Sequence, residues 1–384
     1  MLVFVQPFGL SSPYGGSRIL RSLLKDAPVP FLSVCTSAKA PPATHSGKEI
    51  HLPFRPYFGR IERSRFGKYI SHLNPLFVKR FQQQFEDIVR TSGATGIHAI
   101  PHTLDFWYAF QIAQKLDLPY FLSIHDEVSY NLSGKPELSK ALNCLGIVWA
   151  KAQNCIVISE AMGREYCRRY GERPFIVVTD GLIKVASAPR LRLTKHLHVY
   201  FMGAVHLSYK ANFYAFLKAL DKFQELNSEW QVSFTIRGEL PFKLSSSLIQ
   251  IQILPWSSES EVDKDLEEAN FLYLPLPFGA AYDSFSRYSL STKMVTYLGS
   301  GLPILFHGPF DSAAGEILRE KEAAIIMDSL DENLILDNLL KGESTVHKLV
   351  KNATCLGRNH FWLPDQRKKF WLALVGDTEI SNGL

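Results

Sequence analysis

Three charged or titratable residues stand where they could act on a negatively charged group. His125 directly follows the apolar run Tyr120–Ile124, and a histidine at the tip of a strand can donate to a sugar hydroxyl or a phosphate oxygen. Lys210 follows a glycine turn at Gly203, and Lys293 follows two hydroxyl residues at the predicted start of a helix. A lysine near such a turn supplies a point charge for a diphosphate. Ordinary structural roles remain open for His125, as a strand end, and for Lys210, as a solvent-facing side chain.

Paired glycines precede the first predicted helix. Gly15 and Gly16 would let the backbone approach a ligand closely and would leave helix N–H groups available for an anion. The loop does not have the G-x-G-x-x-G spacing of a dinucleotide site. An ordinary turn between a strand and a helix is the alternative.

A second helix start carries Ser291, Thr292 and Lys293. Hydroxyls at this position either satisfy backbone N–H groups or direct them at a phosphate. The apolar residues of the following turns predict a buried face, and Gly299 and Gly301 predict the end of the helix.

Metal chemistry is not predicted. The pair Asp263 and Asp265 lies in an acidic run that is typical of a solvated helix face, and no histidine spacing fits a metal site. The five cysteines are irregularly spaced, which predicts reduced thiols in a cytosolic protein rather than disulfides or zinc.

Strand-like runs alternate with helical patterns through the whole chain, which predicts an α/β protein with two successive doubly wound parallel sheets. We place the domains at residues 1–184 and 185–358, joined by a linker over Gly181–Lys195, with a C-terminal segment at 359–384. That segment contains a predicted helix, Asp365–Leu374. No apolar run is long enough to span a bilayer, and the N-terminus is typical of a strand and not of a signal peptide.

Taken in order, these features resemble the GT-B glycosyltransferases of the large family-four type, the glycosyl transferases group 1. The resemblance covers nearly the whole chain. It rests on the following residues: Gly15-Gly16, Ser123-Ile124-His125-Asp126, Val157-Ile158-Ser159-Glu160, Gly203 with Lys210, and Lys293-x-x-x-Tyr297-Leu298-x-x-Gly301-x-Pro303.

The resemblance implies two Rossmann-like doubly wound domains facing a cleft, with the acceptor bound by the first domain and a nucleotide-sugar by the second. It implies metal-independent transfer without a cofactor, usually with retention of the anomeric configuration. In that pattern His125 contacts the donor sugar, and Lys210 with the helix start at Ser291–Lys293 neutralises the diphosphate. Gly15 and Gly16 approach the donor phosphates.

Two departures from the family pattern concern the donor site. Many members have two glutamates eight residues apart, and the corresponding places hold Tyr288 and Thr296. The family's arginine beside the diphosphate-site glycine is also missing, since Ala204 and Val205 follow Gly203. A non-catalytic protein of the same fold that binds a nucleotide or glycan therefore stays open, as does a nucleotide-sugar epimerase.

Basic charge is concentrated in the first half of the chain. Residues 1–184 have a net charge of +8, whereas the rest has −3. The basic residues Arg60, Arg63, Arg65 and Lys68 alternate with aromatic side chains, which is typical either of a surface that binds an anionic membrane or of a solvated loop with core aromatics. Nucleic acid is not an expected partner, because no known module accompanies these residues.

The sequence therefore predicts a glycosyltransferase that moves a sugar from a UDP- or GDP-sugar to a glycan or lipid-linked acceptor in cell-surface polysaccharide or glycolipid assembly. We expect it in the cytoplasm or peripherally on the cytoplasmic face of a membrane. Donor base, sugar, acceptor and oligomeric state depend on shapes that residue spacing does not supply.

Overall fold

The computed structural model describes residues 1–13, 15–39, 48–190, 195–257, 259–342 and 345–376, with backbone alone for residues 62, 63, 68, 71, 259 and 260. The chain forms two compact units. The first unit contains Met1–Asp180 together with the chain from Leu363, and the second unit contains Gly181–Trp362. Over the described ranges, no helix is both long and apolar enough to cross a membrane.

The first unit contains a parallel sheet of seven strands within its described residues, in the order β3-β2-β1-β4-β5-β6-β7. The central strands are fully buried, as expected for a parallel sheet covered on both faces. The strands are β1 (Leu2–Gln6), β2 (Phe31–Cys35), β3 (Glu49–His51), β4 (Gly96–Ala99), β5 (Tyr120–Ile124), β6 (Asn154–Val157) and β7 (Ile176–Val177).

Helices cover this sheet and connect its strands. They are α1 (Gly15–Leu24), α2 (Gly67–Ile70), α3 (Val78–Thr91), α4 (Asp105–Lys115), α5 (Val128–Asn131), α6 (Leu138–Lys151) and α7 (Glu160–Tyr170). Two 3-10 helices, Gly59–Arg63 and Ser71–Leu76, flank α2.

Parallel pairing aligns the strand ends that carry the predicted site. Val5 of β1 pairs with Ala99 of β4, and Ile124 of β5 pairs with Val157 of β6. The loops that follow these strands therefore leave the sheet at one edge, where ligands of open α/β sheets bind.

The second unit contains a parallel sheet of six strands within its described residues, in the order β10-β9-β8-β11-β12-β13. The strands are β8 (His196–Met202), β9 (Gln231–Arg237), β10 (Gln250–Leu254), β11 (Phe271–Pro275), β12 (Ile304–His307) and β13 (Ile325–Met327). The α-helices are α8 (Lys210–Leu226), α9 (Glu259–Glu268), α10 (Asp283–Tyr288), α11 (Thr292–Leu298), α12 (Ala313–Glu320), α13 (Glu332–Gly342) and α14 (Val346–His360). The short helices Leu207–Tyr209 and Ala280–Tyr282 are 3-10.

Successive side chains of β8 point to opposite faces of the sheet, and each face packs against different helices. Phe201 packs into the cluster that contains the apolar face of α8, whereas Tyr200 packs into the cluster that contains the apolar face of α11. The helix α11 begins and ends where the sequence predicts, because Ser291 caps it and Gly299 follows its last residue.

Some elements differ from the sequence interpretation. Strand β3 was not predicted, since its three residues carry too short a pattern and two of them are exposed. Residues 182–190 of the predicted linker are bonded along the second unit, with Ala186 N donating to Gly299 O at 2.8 Å and Arg190 N to Gly301 O at 2.8 Å.

The last described helix, α15 (Leu363–Val375), belongs to the first unit. The indole Nε1 of Trp371 donates to Leu23 O at 2.9 Å, and Arg367 Nε donates to Ser22 O at 2.7 Å, so α15 is fixed to the end of α1. Trp371 is buried and its ring meets Phe4 of the central strand edge-on at 6.1 Å.

Replacing Trp371 by alanine will destabilise the first unit by about 3–5 kcal/mol, because a large buried side chain and its hydrogen bond are lost. Amide hydrogen exchange measured by mass spectrometry will show faster exchange in α1 and unchanged exchange in β8 and β9. The matched control is Lys369→Ala on the exposed face of the same helix. Unchanged protection of α1 in the Trp371 variant would contradict this account of the packing.

Candidate functional site

In the first unit, the glycine pair and His125 lie together. A Cβ added to Gly16 would lie 3.2 Å from the Phe8 ring and 3.8 Å from Nδ1 of His125. A side chain at this position would crowd the Phe8 ring, and the short distance to Gly16 places the imidazole at the N-terminus of α1. The sequence predicted both features separately, and the structure places them side by side.

His125 is a buried, neutral imidazole. Burial lowers its pKa to about 3, and the neighbouring His102 and His98 act in the same direction. Within the described residues its Nδ1 has no hydrogen-bond partner. A neutral imidazole with an unused nitrogen can exchange a hydrogen bond with a sugar hydroxyl without placing a cation there.

Two neighbouring histidines were missed by the sequence reasoning as parts of this edge. The ring of His102 meets the ring of His125 edge-on at 6.5 Å, and its Nε2 lies 3.7 Å from Oδ2 of Asp126. The buried His98 bonds Ser123 Oγ through Nε2 at 2.6 Å. The signal available in the sequence was their position after or within β4, next to the strand that ends at His125.

The loop between β1 and α1, which leads to the glycine pair, is held by hydrogen bonds from two other elements. The Leu10 amide donates to Oε2 of Glu49 at 2.7 Å, and Arg21 Nη1 donates to Leu10 O at 2.5 Å. Glu49 belongs to the unpredicted strand β3 and Arg21 to α1. The loop between β1 and α1 is thus held by an acid and a base from two different elements.

In the second unit, Lys293 lies across Gly203. Gly203 has a φ of +118°, and a Cβ on it would overlap the carbon chain of Lys293. The ammonium of Lys293 lies 5.3 Å from the ring centroid of Phe201 and 5.6 Å from that of Tyr209, where cation–π attraction holds it. The side chain is half-buried, and burial lowers its pKa to about 8.

The spacing Lys293-x-x-x-Tyr297 has a direct structural reason. Residues four apart lie on one face of a helix. The hydroxyl of the buried Tyr297 accepts a hydrogen bond from the Met202 amide at 3.0 Å, while Lys293 covers Gly203, the next residue along the chain. One face of α11 therefore fixes both the end of β8 and the turn that follows it.

Gly238 is a part of this site that the sequence reasoning missed. It directly follows β9 and has a φ of +145°, and a Cβ on it would overlap the carbonyl oxygen of Gly203. The Gly203 amide donates to Arg237 O at 2.9 Å. A glycine directly after a strand, in the loop beside Gly203, was the signal that could have found it.

A pocket of about 570 Å³ opens at the carboxyl ends of β9 and β10. Its size and mainly apolar lining suit a small-molecule group. The residues that line it are Gly238, Glu239, Leu240, Phe242, Lys243, Leu244, Ser245, Ile253, Leu254 and Pro255. Gly238 lines this pocket and also contacts the backbone of Gly203, on which Lys293 lies. Another pocket, of about 460 Å³, lies at the amino ends of the same strands and away from these residues.

The remaining predicted donor residues differ in their surroundings. Lys210 is exposed and its ammonium lies 5.6 Å from the Tyr214 ring. Ser291 Oγ accepts from the Lys293 amide at 3.2 Å, so its hydroxyl satisfies the helix start. Thr296 Oγ1 donates to Thr292 O at 3.2 Å, within its own helix. Tyr288 is half-buried at the end of α10.

The acidic run on α9 is not uniformly solvated, which corrects the sequence interpretation. Asp263 is exposed, but the carboxylate of Asp265 receives two hydrogen bonds from the buried guanidinium of Arg237 and one from the Tyr200 hydroxyl. Burial raises the pKa of Asp265, but these bonds outweigh it and the net pKa is lowered. Among the described residues, no group of three or more His, Cys, Asp or Glu could hold a metal ion.

Of the predicted acceptor and membrane surface, Arg60 and Arg65 are exposed. The guanidinium of Arg65 lies 5.0 Å from the Phe66 ring centroid. The side chains of Arg63 and Lys68 lie outside the described part of the chain.

Solved structures with the same fold cover nearly the whole chain. HepE of Anabaena in complex with UDP aligns with a TM-score of 0.64 at 12% identity, over 96% of this chain and 98% of that one. The lipopolysaccharide outer core galactosyltransferase WaaB aligns with a TM-score of 0.62 at 12% identity, over 97% and 98%. A UDP-forming α,α-trehalose-phosphate synthase from Burkholderia vietnamiensis gives 0.64 at 12%, over 96% and 98%.

The chain has the GT-B fold. This confirms the fold class that the sequence predicted, with two parallel-sheet α/β units. By sequence, the chain matches no protein-family model and no curated protein.

Lys293 will titrate near pH 8. Only the neutral amine reacts with an acylating reagent, so labelling of Lys293 will rise as the pH passes about 8. The same residue in the urea-unfolded chain will be labelled at about pH 10.4, the value of an unperturbed lysine. Peptide mass spectrometry after pulsed labelling measures both. Equal midpoints in the folded and unfolded chains would contradict the burial of this amine.

Gly203→Ala will displace Lys293, because the new methyl group overlaps its side chain. The displaced amine becomes more solvated, and its labelling midpoint will move from about 8 towards 10.4. Gly171→Ala is the matched control, since Gly171 also has a positive φ, +105°, but has open space at its Cβ position. A midpoint that stays near 8 in the Gly203 variant would show that the glycine is not required for this arrangement.

Proposed function

We propose that the chain is a glycosyltransferase that takes a sugar from a UDP-sugar and transfers it to a glycan or lipid-linked acceptor. The observation that carries the proposal is the half-buried ammonium of Lys293 over the Gly203 turn, at the carboxyl edge of a GT-B second unit. The likeness to HepE in complex with UDP and to a UDP-forming synthase supports the choice of UDP.

The proposed chemistry uses Lys293 as the cation at the leaving group. Departure of the nucleotide places negative charge on a diphosphate oxygen, and a fixed cation in a poorly solvated position lowers that barrier. With a pKa near 8, Lys293 is largely protonated at neutral pH, and a bound diphosphate would favour its charged form further. We propose metal-independent transfer on this basis, with Lys210 as a second, exposed cation.

His125 is proposed to contact the donor sugar. Its neutral state and its unused Nδ1 suit a hydrogen bond to a hydroxyl group. In a retaining reaction the leaving phosphate can accept the proton of the acceptor hydroxyl, so a pair of catalytic carboxylates is not required at this site. We place the reaction in the cytoplasm or at the cytoplasmic face of a membrane, in the assembly of a cell-surface polysaccharide or glycolipid.

A non-catalytic nucleotide- or glycan-binding protein is the second candidate. The hydroxyl of Thr296 is turned to its own helix, at a place where many proteins of the resembling family have a glutamate. Without that carboxylate a donor could be held and not turned over. An epimerase that acts on the nucleotide-sugar is a third candidate.

The discriminating experiment offers purified protein a panel of UDP-, GDP-, ADP- and TDP-sugars and follows the products by mass spectrometry. Release of UDP with transfer or hydrolysis of the sugar supports the proposal. Tight UDP binding without turnover supports the second candidate, and an altered sugar with free nucleotide but without an acceptor supports the third.

Lys293→Ala will reduce transfer by a factor on the order of 10² to 10³, because a preorganised charge at the leaving group is lost. His125→Ala will also reduce it strongly. Initial rates of UDP release at saturating donor measure both changes, with Lys351→Ala on the exposed face of α14 as the control. Full activity in the Lys293 and His125 variants would refute the site.

A further inference from the structure

The aromatic residues that alternate with basic residues between Phe54 and Phe81 divide into two groups. Phe81 is buried, and the half-buried Phe54 packs on it with ring centroids 5.2 Å apart and stacks on the buried Tyr108 at 5.5 Å. Between them, Phe66 and Tyr69 are exposed, by 53% and 54%. The two readings of the sequence, core aromatics and a binding surface, thus apply to different residues of the same region.

Large exposed apolar side chains concentrate in residues 57–76, which we call the 57–76 segment. It holds six of the 19 exposed large hydrophobic residues found in the described chain. They are Tyr57, Ile61, Phe66, Tyr69, Leu73 and Leu76. The segment contains α2, the two 3-10 helices beside it and the residues that precede and join them, and the backbones of these short helices lie close to one another. Exposed apolar side chains concentrated in one segment in this way are typical of an interaction site.

Positive charge accompanies this surface. Arg60 and Arg65 are exposed within the segment, and Lys79 and Arg80 are exposed in the first turn of α3. Glu62 is the single acidic residue of the sequence between residues 55 and 80. A partner that fits must accept aliphatic and aromatic side chains and supply negative charge.

We propose that the 57–76 segment docks the protein on an anionic phospholipid bilayer. Basic side chains meet the headgroups, and aromatic and aliphatic side chains enter the boundary between headgroups and acyl chains. Exposed aliphatic residues such as Ile61, Leu73 and Leu76 give nucleic acid little to bind, whereas a bilayer accepts them together with the arginines. The inference rests on the proposed function in naming a membrane as the place where a lipid-linked acceptor is met.

The test is co-sedimentation of the full chain with vesicles of phosphatidylcholine alone or with about one third phosphatidylglycerol. We expect binding to the anionic vesicles that weakens as salt screens the headgroups. Arg60→Gln with Arg65→Gln will weaken it by about 25-fold, at about five-fold for each basic residue. Phe66→Ser with Leu76→Ser will weaken it on the order of ten-fold or more.

The matched control replaces an exposed base and an exposed apolar residue of the second unit, Lys351→Gln with Leu226→Ser, and will keep the binding of the original protein. Thermal unfolding verifies that each variant is folded. Four results would each overturn the inference: no binding to either vesicle, equal binding to both, segment variants that bind like the control, or tighter binding to single-stranded RNA than to anionic vesicles. Vesicle binding needs no donor, so loss of transfer with intact binding would overturn the proposed function alone.

Discussion

The second unit depends on one helix face that fixes the end of its central strand. Tyr297 holds the last amide of β8, and Lys293, one turn earlier on α11, closes over the glycine that follows. The strand end can turn sharply only because Gly203 and Gly238 lack side chains. Backbone hydrogen bonding, glycine conformation and the burial of an amine are therefore parts of one arrangement.

In the first unit, different residues fix the loop that follows the strand β1. Its glycine loop is held by Glu49 and Arg21, and its titratable group is an imidazole kept neutral by burial. A neutral donor or acceptor beside a helix N-terminus suits an uncharged hydroxyl-rich group, while the ammonium of Lys293 suits an anion. The two units thus present chemically different surfaces at the carboxyl edges of similar sheets.

Strand–helix alternation was sufficient to predict two successive doubly wound sheets, because period and apolar runs are local properties of the chain. The more specific prediction of a GT-B fold came from the resemblance of the motifs. The start of α11 followed from capping. The sequence associated the Gly203 turn with Lys210, whereas the structure places Lys293 over that glycine and Lys210 beside Tyr214. Gly238 and His102 each follow a strand, which was a weak signal, but their neighbours Gly203 and His125 come from strands distant in sequence, so the contacts that make them important did not follow from the sequence. The role of Asp265 was missed for the same reason, because its partner Arg237 lies on β9.

Because of helix α15, the first unit is built from two stretches of the chain that are separate in sequence. The chain leaves the first unit after Asp180 and returns at Leu363, and Leu182 pairs with Trp362 where it does so. The second unit is therefore an insertion within the first. Because Trp371 follows the second unit along the chain, the contacts of α15 with α1 and with Phe4 can form only after the residues of the second unit have been synthesised. The seven-stranded sheet is therefore covered in part by residues that lie beyond the whole of the other unit in the sequence.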